Sequence, residues 1–237
     1  MNLQNIYLSV QKFHELFEMT VNNGAETPTK QTINLRKKLL FEEIDEYNIA
    51  VKNLDYVEIV DGLCDIMYVF MGMVVSFGKD FCYINEITKL PVYKQPPLTI
   101  EEVKTIVNNT RSPTMFEFSV SISKLFYYCE KDFENNKNKI AEYINKSLIQ
   151  LICVIDMTIN NFDKCFNEVH RSNMTKLCNT EEEANMTIEQ YKEKNIIAAF
   201  RYGKTELNKN SIIVYNVETN KTLKSCNYSK CDLTKFI

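Results

Sequence analysis

Apolar side chains recur at helical spacing along most of the chain. Val10, Phe13, Leu16 and Phe17 predict a first helix over residues 3–20. Asn-Asn-Gly and Thr-Pro-Thr, between Val21 and Lys30, read as a loop. A long helix is expected over 31–53, with Leu40, Ile44, Tyr47 and Val51 facing the core and Glu43 and Glu46 beside that stripe. Asn53-Leu54-Asp55 is a short connection, so the next helix, running towards Gly78, should pack antiparallel to it. In that third helix Val57, Ile59, Val60, Leu63, Cys64, Ile66, Met67, Val69, Phe70 and Met71 fill most of the circumference. A helix so apolar is expected to be buried.

Further on, Pro91, Pro96 and Pro97 mark a loop, and Leu98-Thr99-Ile100-Glu101-Glu102 reads as the capped start of a short helix. Ser112-Pro113 precedes two more long helices, over 114–131 and 137–161, the second carrying Ile144, Leu148, Leu151, Ile152 and Ile155. Phe77-Gly78-Lys79-Asp80-Phe81 can be laid over Phe162-Asp163-Lys164-Cys165-Phe166, which sets Asp61 against Lys146 and Asp65 against Gln150. That is either a second helical hairpin stripped of its acids or a chance likeness between two apolar helices. After Leu177 the character changes. Asn179-Thr180-Glu181-Glu182-Glu183 caps a polar helix to about residue 194, and Ile212-Ile213-Val214-Tyr215 and Thr222-Leu223 flank a turn at 218–221, as in a small β-hairpin. The pattern predicts an all-α body over 1–178 with a helix-plus-hairpin appendage over 179–237, away from the chemistry.

Charge changes this picture at one place. Glu42-Glu43-x-x-Glu46 is followed by Glu58-x-x-Asp61-x-x-x-Asp65, and no Lys or Arg lies between Asn53 and Gly78. Helical spacing puts Glu58, Asp61 and Asp65 on one stripe, and antiparallel packing brings it face to face with the first cluster. Like charges at about 4 Å repel by roughly 1 kcal/mol in water and about 4 kcal/mol at a dielectric of 20. Packed acids of this kind need protons or a cation, and a divalent metal is the economical reading. Taken alone, Glu42, Glu43 and Glu46 could instead be a solvated face paired with Arg36, Lys37 and Lys38.

Composition adds exclusions. Five Gly and five Pro in 237 residues disfavour a sandwich or barrel. A net charge of −3 gives no general attraction to nucleic acid polymers or anionic membranes. Cys64, Cys129 and Cys153 lie in apolar helical pattern and no C-x-x-C pair exists among the eight cysteines, so reduced thiols in a cytoplasmic protein are expected. The apolar run Ile66 to Phe77 is too short to span a bilayer, and the amphipathic start lacks a signal-peptide pattern.

Four pieces then coincide in order: Val10-Gln11-Lys12-Phe13-His14, Leu35-Arg36-x-x-Leu39-x-x-Glu42-Glu43-x-x-Glu46, Glu58-x-x-Asp61-Gly62-x-x-Asp65, and Glu168-Val169-His170-Arg171-Ser172-Asn173-Met174-Thr175-Lys176. Together they resemble the all-α NTP pyrophosphohydrolases, the superfamily of MazG, the dimeric dUTPases and the phosphoribosyl-ATP pyrophosphohydrolases. The phage- and microbe-type phosphoribosyl-ATP pyrophosphohydrolase-like proteins are the nearest, and Thr222 to Ser229 looks like their terminal hairpin. The resemblance covers 5–80 and 162–235; the stretch at about 80–160 departs from the short forms.

The resemblance implies a MazG-like helical bundle that cleaves a (d)NTP between the α and β phosphates, releasing pyrophosphate. Nucleotide-pool housecleaning and dUTP or dCTP control are roles of that kind, and phosphoribosyl-ATP is the alternative substrate. By position, Glu43, Glu46, Glu58 and Asp61 would hold Mg²⁺, with Mn²⁺ as substitute, and Asp65 would bind a second ion or support the first. Glu42 and Glu46 are the candidates for activating water. Arg171, Asn173 and Lys176 would contact phosphate, while His14 and Gln11 would contact base or sugar. By spacing alone, Arg36, two turns before Glu43 on the same face, reaches either a phosphate or Glu43 itself. Self-association into dimers or tetramers is also implied. The rival reading is a catalytically silent helical module in which the acids form a metal-dependent seam.

Overall fold

The turn that joins the acid-bearing helices is decided by two residues. In the computed structural model of the chain, which describes residues 1–24, 27–87, 113–205, 207–219 and 221–237, Leu54 adopts a left-handed conformation (φ 55°) and ends helix α2 (Lys30–Asn53). The Asp55 backbone N–H returns to the Ala50 carbonyl, and its side chain accepts the Glu58 N–H to open helix α3 (Tyr56–Phe77). So tight a reversal lays α3 back along α2. Between Ile59 and Phe77 every residue of α3 is buried except Asp61, Asp65 and Val69, which are half-buried. These three, at i, i+4 and i+8, are the one stripe by which the interior of α3 reaches solvent. Although α3 is long and apolar enough to cross a membrane by length and composition, it is the core helix here.

The other elements close around it. Helix α1 (Leu3–Leu16) is capped by Asn2. A short helix α4 (Ile84–Ile87) follows α3. Helices α5 (Pro113–Asp132) and α6 (Lys137–Thr158) make a second antiparallel hairpin, and α7 (Phe162–Met174) returns to pack on α1 and α3. Phe70 meets Phe118, Phe41 meets Phe126, and Tyr68 stacks on Phe166. Lys37 pairs with Glu130 across the two hairpins at 2.6 Å. Helix α8 (Glu181–Lys192) is capped by Thr180, whose hydroxyl accepts the Glu183 N–H while Glu183 accepts the Asn179 N–H. Strands β1 (Ala198–Tyr202) and β2 (Ile212–Asn216) pair antiparallel, and with α8 they enclose a small core of Cys178, Ala184, Ile212, Val214 and Leu223.

The all-α architecture is as the periodicity predicts, with three differences. The first helix stops at Leu16, because Glu18 turns left-handed (φ 55°) and the Met19 N–H folds back to the His14 carbonyl. Cys153 is exposed rather than packed in an apolar face. The main partner of β2 is β1, whose Ala-Ala-Phe-Arg-Tyr has no two-residue alternation to betray it; the expected 222–223 arm contributes only a bridge from Thr222 to Tyr215. The predicted loop around Pro91, Pro96 and Pro97 and the short helix at 98–102 lie outside the described residues.

Close approach of α2 and α3 depends on Gly62, where a Cβ would stand 3.2 Å from both Cα and Cβ of Tyr47. Gly62→Val would push the helices apart and is expected to cost about 1–3 kcal/mol, read as a lower urea midpoint at unchanged slope.

Candidate active site

Antiparallel packing fixes which acids meet. Gly62 lies against Tyr47 and Gly72 against Arg36, so Asp65 comes level with Glu43 and Asp61 with the Glu46 turn. The carboxylates accordingly feel one another across the seam. Burial lifts the Glu43 carboxyl from 4.5 to about 7, reinforced by Glu46 and then Glu42. Burial pushes Asp65 well above the usual carboxylate range, helped by Glu43 and Asp61. Asp61 is raised by burial and by Glu58, against the opposing pull of Lys230 and a hydrogen bond from the Cys231 thiol. Glu46 and Glu58 are exposed at the rim and Glu42 is half-buried. The six predicted acids thus lie along the α2–α3 seam, with Glu43, Asp61 and Asp65 within it and Glu46 and Glu58 on its exposed edge.

The cations that answer them come from far along the chain. Lys176, just beyond α7, is lowered by burial and by repulsion from Lys224 and Lys221, while Asp65 and Glu43 pull the other way. Its Nζ donates to Asn173 Oδ1 at 2.7 Å. Lys221 stands 3.6 Å from Glu42. The C-terminal tail is strapped to α7 to make this possible: Ser225 Oγ donates to the Thr175 carbonyl, Ser172 Oγ to the Tyr228 hydroxyl, and the Ser229 N–H to Thr175 Oγ1. The tail therefore is not remote from the acids, as an appendage would be. Lys221, Lys224 and Lys230 escaped sequence reasoning because nothing local marks a lysine in a polar turn; only the return of the tail gives them a role.

Other predicted residues are placed as follows. Arg171 forks onto Glu168 at 2.7 and 2.8 Å and onto Ser229 and the Lys230 carbonyl, so it holds the tail rather than facing the acids. Gln11 donates to Glu15. His14 is buried, with Nδ1 donating to the Thr20 carbonyl at 2.9 Å. Arg36 is buried and, among the described residues, pairs with neither Glu43 nor any other acid. The pairing of Glu42, Glu43 and Glu46 with Arg36, Lys37 and Lys38 is not formed: Lys37 goes to Glu130 and Glu42 to Lys221. His170, unassigned by sequence, meets the Tyr68 hydroxyl at 3.0 Å.

Several oxygen donors on one seam suit a hard divalent cation by their chemistry. Burial first, and the neighbouring carboxylates second, raise Glu43, Asp61 and Asp65 above their ordinary range. Among the described residues, no three of the acids are gathered into a preformed cage.

The family model described as phosphoribosyl-ATP pyrophosphohydrolase matches residues 10–87, which span α1 to α4 and include every acid of the cleft. The chain is also similar to an uncharacterised protein of Acanthamoeba polyphaga mimivirus, 27% identical over 240 aligned residues that cover 92% of this chain and 90% of the relative. No solved structure matches it.

The Glu43 shift has a signed consequence. A carboxyl titrating at about 7 when folded, against 4.5 ordinarily, contributes stability that is present below about pH 4.5 and lost as pH rises through 7. His14 works in the opposite direction, since burial lowers it from 6.5 to about 3 and stability falls as pH drops below 6.5. Subtracting the melting profile of Glu43→Gln isolates the first effect. In metal-free protein the wild type should lose more melting temperature than Glu43→Gln between pH 5 and pH 8.

Proposed function

Residues 10–87 form a domain of the phosphoribosyl-ATP pyrophosphohydrolase family, within the MazG-like NTP pyrophosphohydrolase superfamily, and on that premise we propose that this chain hydrolyses a (d)NTP to the monophosphate and pyrophosphate with the help of Mg²⁺. The family domain supports a nucleotide pyrophosphohydrolase type of function. One observation carries the finer reading: carboxylates from α2 and α3 meet on one seam, and Lys176 and Lys221 are brought to it from far along the chain. Acids alone would repel a triphosphate and lysines alone would not gather a metal; the two together suit a metal–triphosphate complex.

Glu43, Glu46, Glu58 and Asp61 would hold the ion, with Asp65 behind them. Bound Mg²⁺ supplies charge neutralisation and orientation of the phosphate oxygens. Lys176 and Lys221 bind the phosphate chain as point charges, Lys224 and Lys230 adding to the local positive field. Glu42 and Glu46, at the accessible edge of the cleft, orient and deprotonate the attacking water at the α phosphorus. The carboxylate takes the water's proton and passes it on to solvent, and the α–β anhydride bond breaks as the new bond to oxygen forms, expelling pyrophosphate. Phosphoribosyl-ATP offers the same triphosphate and the same scissile bond, and the description of the matched family favours it as the second reading.

Pyrophosphate release from the NTPs, the dNTPs including dUTP, and phosphoribosyl-ATP, each with and without Mg²⁺, tests both. Metal-dependent release from one or a few members is expected. Glu58→Gln or Asp61→Asn should lower turnover by more than the roughly 10–100-fold typical of outer-shell changes, at unchanged far-ultraviolet circular dichroism. Lys176→Met should raise KM more than it lowers kcat. Folded, metal-bound protein that releases pyrophosphate from none of them would replace this reading with the silent helical module.

A further inference from the structure

Helix α2 buries a cation that the described part of the protein does not answer. Arg36 is 5% exposed, its Nε is shielded without a hydrogen-bond partner, and among the described residues it forms no ion pair. His14 stands beside it, 2% exposed. Because His14 Nδ1 donates to the Thr20 carbonyl, its Nε2 is free to face the arginine. The meeting point is Gly72, where a Cβ would lie 3.0 Å from both Arg36 Nη1 and His14 Nε2. Only a residue without a side chain lets both nitrogens come this close to α3.

A buried guanidinium without a counter-charge is strongly destabilising. Such a breach of the ordinary rules is expected where function requires it. The cost is visible in both groups: burial lowers Arg36 to about 10, and burial followed by the Arg36 charge lowers His14 to about 3.

The position along the seam narrows what the missing partner is. Arg36 lies seven residues before Glu43, and Gly72 seven residues after Asp65. In an antiparallel pair both steps run the same way, by two turns or about 10 Å. Arg36 therefore sits in the same seam as the acid cleft but out of reach of the same phosphate group.

We propose that Arg36, with His14 beside it over Gly72, is a receptor for a compact oxyanion of the phosphoryl class, separate from the acid cleft. The oxyanion is supplied either by a substrate, as a group remote from its scissile anhydride, or by free phosphate. The substrate form rests on the pyrophosphohydrolase reading; the existence of the receptor does not.

Inorganic phosphate is the probe, applied to the metal-free full chain and to its Arg36→Gln, Arg36→Lys, Asp61→Asn and Lys176→Met variants. Without phosphate, Arg36→Gln should melt higher than wild type, since an uncompensated charge has gone; a purely structural arginine would give the reverse. Titration calorimetry should show phosphate affinity reduced at least tenfold in Arg36→Gln and retained in Asp61→Asn and Lys176→Met. Arg36→Lys, which keeps the charge without the fork, should fold and bind more weakly than wild type, and it carries the test if Arg36→Gln does not fold. Phosphate affinity that is lost in Lys176→Met but kept in both Arg36 variants would overturn the proposal. So would a lower melting temperature of phosphate-free Arg36→Gln with unchanged binding. For whichever nucleotide releases pyrophosphate, competitive inhibition by phosphate with a KM raised at least tenfold in Arg36→Lys assigns the group to the substrate; phosphate acting on kcat alone assigns it to an effector. If no nucleotide is turned over, the calorimetric comparison still decides whether the receptor exists.

Discussion

The structure depends on the seam between α2 and α3, where two helices approach closely enough for their carboxylates to perturb one another. Gly62 permits the approach, Asp55 and the left-handed Leu54 enforce the reversal, and the buried apolar surface of α3 holds it against the repulsion of the acids. Hydrophobic burial at about 25 cal/mol per Å², summed over a helix whose interior side chains are nearly all hidden, outweighs like-charge repulsion that protons or a cation can relieve. The cleft is thus a place where a stable core carries an electrostatic conflict in a confined stripe.

Several of the other described elements enclose or answer it. The second hairpin, α5 with α6, covers the apolar faces that a two-helix unit would expose, and α7 closes the remaining side through Tyr68 and Phe166. Helix α7 also anchors the tail through Arg171, Ser172 and Thr175, which carries Lys221, Lys224 and Lys230 back to the acids. Arg171 shows how a residue that looks made for phosphate can be committed to structure, since its fork is satisfied by Glu168 and the tail. Arg36 is its opposite: nothing in the sequence around it suggests isolation, yet among the described residues it is a buried charge that forms no ion pair.

Periodicity and spacing made the helices legible, because a helix records its buried face at intervals of three and four residues. The acids were legible for the same reason: Asp61 and Asp65 interrupt the apolar helix in a stretch from Asn53 to Gly78 that holds no Lys or Arg, and Glu43 and Glu46 face them across a short connection. Loop boundaries were less so, as with the end of α1, where the left-handed Glu18 overrides helix-compatible residues. Strand β1 was illegible, since Ala198–Tyr202 takes its identity from its partner rather than from its own pattern.

By itself, then, the sequence determined the all-α body, the α2–α3 reversal and the convergence of two acid clusters, all consequences of local geometry acting over a few turns. Only the tertiary structure decided which cations face those acids, that Arg171 holds the tail, and that Arg36 and His14 meet over Gly72. Those pairings join residues far apart in the chain, and their geometry follows from packing, which periodicity along a single helix does not encode.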